Sequence, residues 1–214
     1  MQRLIVLLLM LCAASALAQS ATYATREEAL RAVASADADQ RAEAVAWIAS
    51  HGTQADAPVL KERLTDDSPL VRTVAEQGLW ELWSRSGDDG VDALLARGVG
   101  EMRAGDLDAS IATFSAVIER KPDFAEGWNK RATARFLAGD FRRSLADCDE
   151  VMKRNPLHFG ALAGYGQIYF QLEQYEKAIE YWRRALDVNP NMAGVEISIR
   201  ATEQLIAERR KRSA

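Results

Sequence analysis

Proline returns every 34 residues through the second half of this chain, at Pro122, Pro156 and Pro190. Five further series keep the same register. Small residues stand at Gly98, Ala132 and Gly166, and large apolar ones at Leu94, Trp128 and Leu162. Others run through Ile111, Leu145 and Ile179, through Ile118, Met152 and Leu186, and through Val117, Val151 and Ala185. A fixed period of this size means one supersecondary unit stacked on copies of itself, since a single unit cannot bury both of its faces. Each unit breaks in the middle, at Gly105-Asp106, Gly139-Asp140 and Glu173-Gln174. Glycine supplies a positive φ there, and aspartate caps the helix that follows. Leu107, Ile111, Phe114, Val117 and Ile118 are spaced for one helical face. The recurring proline then stops the second helix of each pair.

These residues resemble the tetratricopeptide repeat family. The third copy reads Leu162, Tyr165, Gly166, Tyr169, Ala178, Trp182, Ala185, Pro190. The second reads Trp128, Ala132, Ser144, Cys148, Val151, Pro156, and the first Leu94, Gly98, Ser110, Phe114, Val117, Pro122. The resemblance implies an all-α, right-handed α-solenoid of helix-turn-helix repeats at 91–124, 125–158 and 159–192. It also implies a concave groove lined by the first helix of each repeat. Candidates for that lining are Asp92, Leu95, Val99 and Met102, then Glu126, Asn129, Thr133, Phe136 and Leu137, then Gly160, Ala163, Gln167 and Phe170. Val99, Met102, Phe136 and Phe170 would make an apolar floor suited to an amphipathic helix or an extended apolar peptide. Some repeats of this kind clamp a peptide carboxylate with Lys, Arg and Asn. Asn129 and Lys130 fit that pattern, whereas Ala163 and Gly164 stand where the third repeat would need cations.

Two other segments flank the repeats. Residues 22–86 resemble HEAT-type helical repeats. Arg41, Ala44 and Ile48 match Arg72, Ala75 and Leu79 at a spacing of 31, and Asp67 with Arg72 fits the Asp-x-x-x-x-Arg pattern. Thr25 and Glu28 form a capping box for a helix running to about Ala34, and Pro69 suits a first helical position. Residues 87–90 are a linker by composition. Residues 193–210 form an amphipathic helix that caps the solenoid, followed by a basic tail at 211–214.

The chain opens with Arg3 and an uncharged apolar run from Leu4 to Leu17, ending in Ala16-Leu17-Ala18. The run is shorter than the roughly 20 residues that span a bilayer. Residues 1–18 are therefore read as a cleaved export signal, with the mature chain starting at Gln19. A lipoprotein signal would need a small residue before Cys12, where Leu11 stands. Losing Arg3 takes the formal net charge from −4 to −5, and an acidic chain lacks the basic stripe of a nucleic-acid binder. The one basic run, Arg209 to Arg212, suits the negative end of a helix. Cys148 is then the single cysteine, so no internal disulfide can form, and its place on the core side argues for a buried, inert thiol.

Nothing in the chain spells out catalysis. There is no GxSxG, P-loop or HExxH pattern, and neither His51 nor His158 has a second ligand at metal spacing. Both histidines read as solvated loop residues, and no cofactor or metal is implied. Arg97 with Glu101, and Arg131 with Arg135, put charge where the repeat pattern is apolar or aromatic. Desolvated charges need partners, so Arg131 is expected to pair with Asp147 or Glu101. The whole describes an exported, non-catalytic adaptor of the periplasm or cell envelope, holding a partner peptide or helix in the groove. The alternatives are a carrier of an apolar ligand or lipid, or an accessory subunit of an envelope enzyme complex.

Overall fold

The computed structural model describes residues 23–213, so the expected export signal lies outside the described residues. Among them there are eleven α-helices and no strand. The repeats are three antiparallel pairs. They are α5 (Asp89–Arg103) with α6 (Leu107–Arg120), α7 (Ala125–Leu137) with α8 (Phe141–Arg154), and α9 (Phe159–Gln171) with α10 (Tyr175–Val188). The intra-repeat turns form as the sequence dictates. Gly105 and Gly139 take φ of 82° and 77°. Asp106 and Asp140 then accept from the backbone N–H of Ala109 and Arg143. In the third copy Glu173 is forced to a φ of 57°, and Gln174 makes no side-chain cap.

Within each pair the small residue of the first helix faces the large residue of the second. A Cβ on Gly98 would stand 2.6 Å from the Phe114 ring, and one on Gly166 would overlap Trp182. The middle repeat is different, with Ala132 in the core beside Cys148 rather than a ring.

A second row repeats with its chemistry changed. In the first copy Arg97 bonds Glu101 at 2.7 Å, and the Thr113 hydroxyl donates to Glu101 at 2.6 Å. One period on, Arg131 and Arg135 both bind Asp147, at 2.8 and 2.7 Å. The Asp147 partner expected for Arg131 is therefore the one it finds. In the third copy the same positions hold Tyr165, Tyr169 and Tyr181, stacked at 4.4 and 5.3 Å about Tyr181.

Before the repeats come α1 (Arg26–Ala32), α2 (Ala38–His51), α3 (Ala57–Glu62) and α4 (Pro69–Ser84). The Thr25–Glu28 capping box is made, and Pro69 opens α4. Leu64 sits in the 3-10 turn Arg63–Thr65 that follows α3. The 31-residue spacing shows as geometry. Arg41 donates to the carbonyls of Ser35 and Ala36, and Arg72 donates to those of Asp66 and Asp67. The Asp67 carboxylate turns to Arg41 at 2.5 Å rather than to Arg72. Arg41 also binds Asp66 at 2.7 Å, and that hydrogen bond holds the Asp66 carboxyl down at about 2.

Two boundaries shift. Asp88 caps α5 at Asp89, so half of the expected linker at 87–90 is helix. Helix α11 (Ala193–Ser213) runs through most of the expected basic tail, whose cations then lie on its last turn.

The N-terminal helices reach across to the second and third repeats. Trp80 and Trp83 of α4 pack on Phe159 at the start of α9, both at 5.1 Å, and Phe159 is buried in the N-terminal core. Asn191 adds a hydrogen bond to the Leu64 carbonyl at 2.8 Å.

Candidate functional site

The docked α4 decides what remains open on the α7 and α9 face. Trp80 lies against Gly160, and Lys130 of α7 sits over its ring at 5.8 Å. Beneath them Glu126 is 1% exposed. Its Oε2 accepts from His158 Nε2 and from Asn129 Nδ2, both at 3.0 Å, and its Oε1 lies 2.8 Å from Lys130 Nζ. His158 Nδ1 accepts from the backbone N–H of Ala161, which leaves the proton on Nε2 to face Glu126. Burial alone would push the Glu126 carboxyl up, but the hydrogen bond from His158, together with the charge of Lys130, holds it below its ordinary value.

His158 is thus no solvated loop residue. It is fully buried, stacked on Trp83 at 4.6 Å, and caps α9. The sequence places it correctly after Pro156, but it cannot show that α4 covers it. His51 does sit on the surface, stacked on Trp47 at 4.5 Å.

The expected groove residues do not share one surface. Glu126 and Asn129 are buried in the polar cluster just described. Leu95, Val99 and Met102 pack into the hydrophobic cluster around Phe114 and Phe124, and Leu95 is too buried to offer a floor. Phe170 packs on Tyr175 and Trp182, with Ala163 in the same cluster, while Leu137 projects to solvent at the end of α7. Of these candidates Asn129, Thr133, Phe136, Gly160 and Gln167 are brought together. They line a partly open cleft of about 130 Å³ between α7, α8 and α9. Thr133 and Gln167 are exposed at its mouth.

Sequence reasoning missed the rest of the cleft wall, formed by Ala132, Ser144, Cys148, Ala161, Gly164 and Ile168. The period carried the signal, because Cys148 interrupts a series otherwise occupied by Phe114 and Trp182. Burial first, then the charges of Asp147 and Asp149, pushes the Cys148 thiol up to about 12, so the wall carries an inert sulfur. Lys130 is occupied by Glu126, and Gly164 stands as a bare backbone in the cleft, so the cleft holds no set of free cations for a carboxylate. Among the described residues no group of three or more His, Cys, Asp or Glu could hold a metal ion, and no helix is long and apolar enough to cross a membrane.

Comparisons with known proteins agree with the repeat fold. Tetratricopeptide repeat families match residues 95–150 and 162–192. A TPR repeat-containing protein of Rhizobium etli is 32% identical over 108 residues, which cover 50% of this chain and 53% of that protein. The match thus spans about half of that relative's length. The first TPR domain of Spaghetti, solved with an HSP90 peptide, superposes with a TM-score of 0.53 at 23% identity, covering 55% of this chain and 93% of that one. The Sgt2 TPR domain of Aspergillus fumigatus gives a TM-score of 0.55 at 17% identity, over 58% of this chain and 83% of that one. At these identities the two structures speak for the fold.

Proposed function

We propose that this chain, whose residues 95–150 and 162–192 are tetratricopeptide repeats, is a non-catalytic scaffold that holds a partner peptide on the α7–α9 face. The observation that carries the reading is the cleft itself. It is open to solvent at Thr133 and Gln167 and closed at Gly160 by the chain's own α4. A site so bounded admits a side chain together with a short stretch of backbone. Its volume of about 130 Å³ is small for an acyl chain, which favours a peptide over a carried lipid. The HSP90 peptide on the Spaghetti domain supports the same use of a similar fold.

The N-terminal helices are read as a HEAT-like brace that fixes one end of this face. The apolar run from Leu4 to Leu17 supports export, which would set the scaffold in the periplasm or cell envelope.

Site-specific photo-cross-linking in the native host tests the binding face. A cross-linker at Gln167 should give a discrete adduct that one at exposed Glu180 of α10 does not. Equal adduct patterns at both positions would overturn the reading. For export, the protein recovered from the envelope fraction should begin at Gln19, and an uncleaved cytoplasmic protein would rule the signal out.

A further inference from the structure

We propose that the cleft beside Cys148 is a socket for one aromatic side chain, of phenylalanine size, presented by the partner peptide. The inference rests on the scaffold reading and names what the partner must carry. Its first support is internal to the chain. In the first and third repeats the position equivalent to Cys148 holds a ring, Phe114 and Trp182, packed hard against Gly98 and Gly166. In the middle repeat the ring is missing, and the facing residue is only an alanine, Ala132. A well-packed interior leaves few voids larger than a water molecule, so a missing ring leaves space. That space is the cleft, which Ala132 and Cys148 both line.

Size and lining point the same way. The volume of about 130 Å³ is close to the roughly 150 Å³ apolar cavity that takes up benzene. Ala132, Ile168 and the Phe136 ring give it apolar walls, and Phe136 can meet an incoming ring edge to face. The sulfur stays protonated and offers no charge. At the mouth the chemistry turns polar. Thr133 and Gln167 are exposed there, and both carry side-chain groups that can hydrogen-bond a peptide. A free hydrocarbon has no use for that rim, whereas the backbone on either side of an inserted side chain does.

The test is an NMR titration of the purified protein with N-acetyl-phenylalaninamide, and with N-acetyl-alaninamide as control. The phenyl probe should shift the Ala132 and Ile168 methyl signals saturably and show contacts from its ring to the Ala132 methyl. The alanine probe should bind at least tenfold more weakly. Cys148→Phe should close the socket and abolish the phenyl effect. Cys148→Leu serves as a milder filling that should weaken it if the larger ring disturbs folding. Indistinguishable responses to the two probes, or phenyl shifts unchanged in both variants, would overturn the socket. The Gln167 cross-link separates this from the scaffold reading. If the adduct forms equally well in Cys148→Phe, the ring socket fails and the scaffold reading stands. If the phenyl probe binds but Gln167 gives no specific adduct, the scaffold reading fails and the ring site remains.

Discussion

Gly160 faces the edge of the Trp80 indole so closely that a Cβ at this position would overlap the ring. The contact joins the start of the third repeat to the last helix of the N-terminal unit, and it explains how the two halves become one body. Glycine is a poorer helix residue than alanine, and its presence is offset by the approach it permits.

Gly160→Ala should therefore loosen the joint. The added methyl meets a rigid ring packed against Phe159, and overpacking of this kind costs about 1–3 kcal/mol. Trp80→Ala should remove the clash, so the double variant should be more stable than the sum of the two single losses. Thermal denaturation of the four proteins checks this. Strict additivity would mean that the two residues do not meet.

The Glu126–His158 pair lies under the same joint. Glu126→Ala leaves a half-buried Lys130 and a buried His158 without their carboxylate and should cost about 3–5 kcal/mol. The pair also predicts acid sensitivity. The folded carboxyl is held below its ordinary value near 4.5. Its contribution is complete above that value and is lost as pH falls through the lower folded one. Denaturant midpoints measured from pH 6 to pH 3 should fall, and fall less steeply for Glu126→Gln.

Much of this architecture is legible in the sequence because a solenoid is built from local rules. The 34-residue period gives the helix pairs, the positive-φ glycines and the Asp caps, all of which depend on residues a few positions apart. The Arg131–Asp147 bond follows from knowing which faces of a pair meet. What the period cannot give is contact between units of different kinds. Phe159 opens the third repeat, yet it belongs to the N-terminal core. His158 reads as a loop residue until Trp83 covers it. Leu95 reads as groove lining, but the chain buries it between repeats.

Glu173 marks a place where the third repeat departs from its siblings at a cost. Its left-handed φ of 57° disfavours a side chain by roughly 1–2 kcal/mol, while Gly105 and Gly139 meet the same need freely. Its bond to Arg209, at 3.0 Å, is on the surface, where solvent screening leaves such a pair little weight. Glu173→Gly should then raise the melting temperature by a few degrees, at about 2–4 °C per kcal/mol for a chain of this size. A lower melting temperature would show that the Arg209 contact outweighs the strain.

Cys148 should behave as a sealed thiol. It is 2% exposed, and burial pushes its thiol up to about 12. In a Cys12→Ala background, iodoacetamide at pH 8 should leave the native protein unlabelled over hours and label it fully in denaturant, as mass spectrometry would show. Rapid native labelling would mean that the folded chain does not hold the thiol protonated.

Asp147 answers two arginines at once, and this makes the arginines unequal to it in effect. It accepts from Arg131 at Nε and Nη2, 3.0 and 2.8 Å, and from Arg135 at Nη1, 2.7 Å, while being almost fully buried. Removing Arg131 leaves Asp147 still paired with Arg135. Removing Asp147 leaves two desolvated guanidinium groups facing each other, with only Ser115 bonding Arg131 from another side chain and Trp128 beneath it. Asp147→Ala should thus cost about 3–5 kcal/mol, the loss expected on breaking a buried pair. Arg131→Met should cost clearly less, because its aliphatic chain can still pack on Trp128. Adding Arg135→Met to Asp147→Ala should recover part of the loss, since one stranded charge is removed. Denaturant unfolding of the single and double variants decides it, and equal losses for Asp147→Ala and Arg131→Met would show that Arg135 does not share the carboxylate.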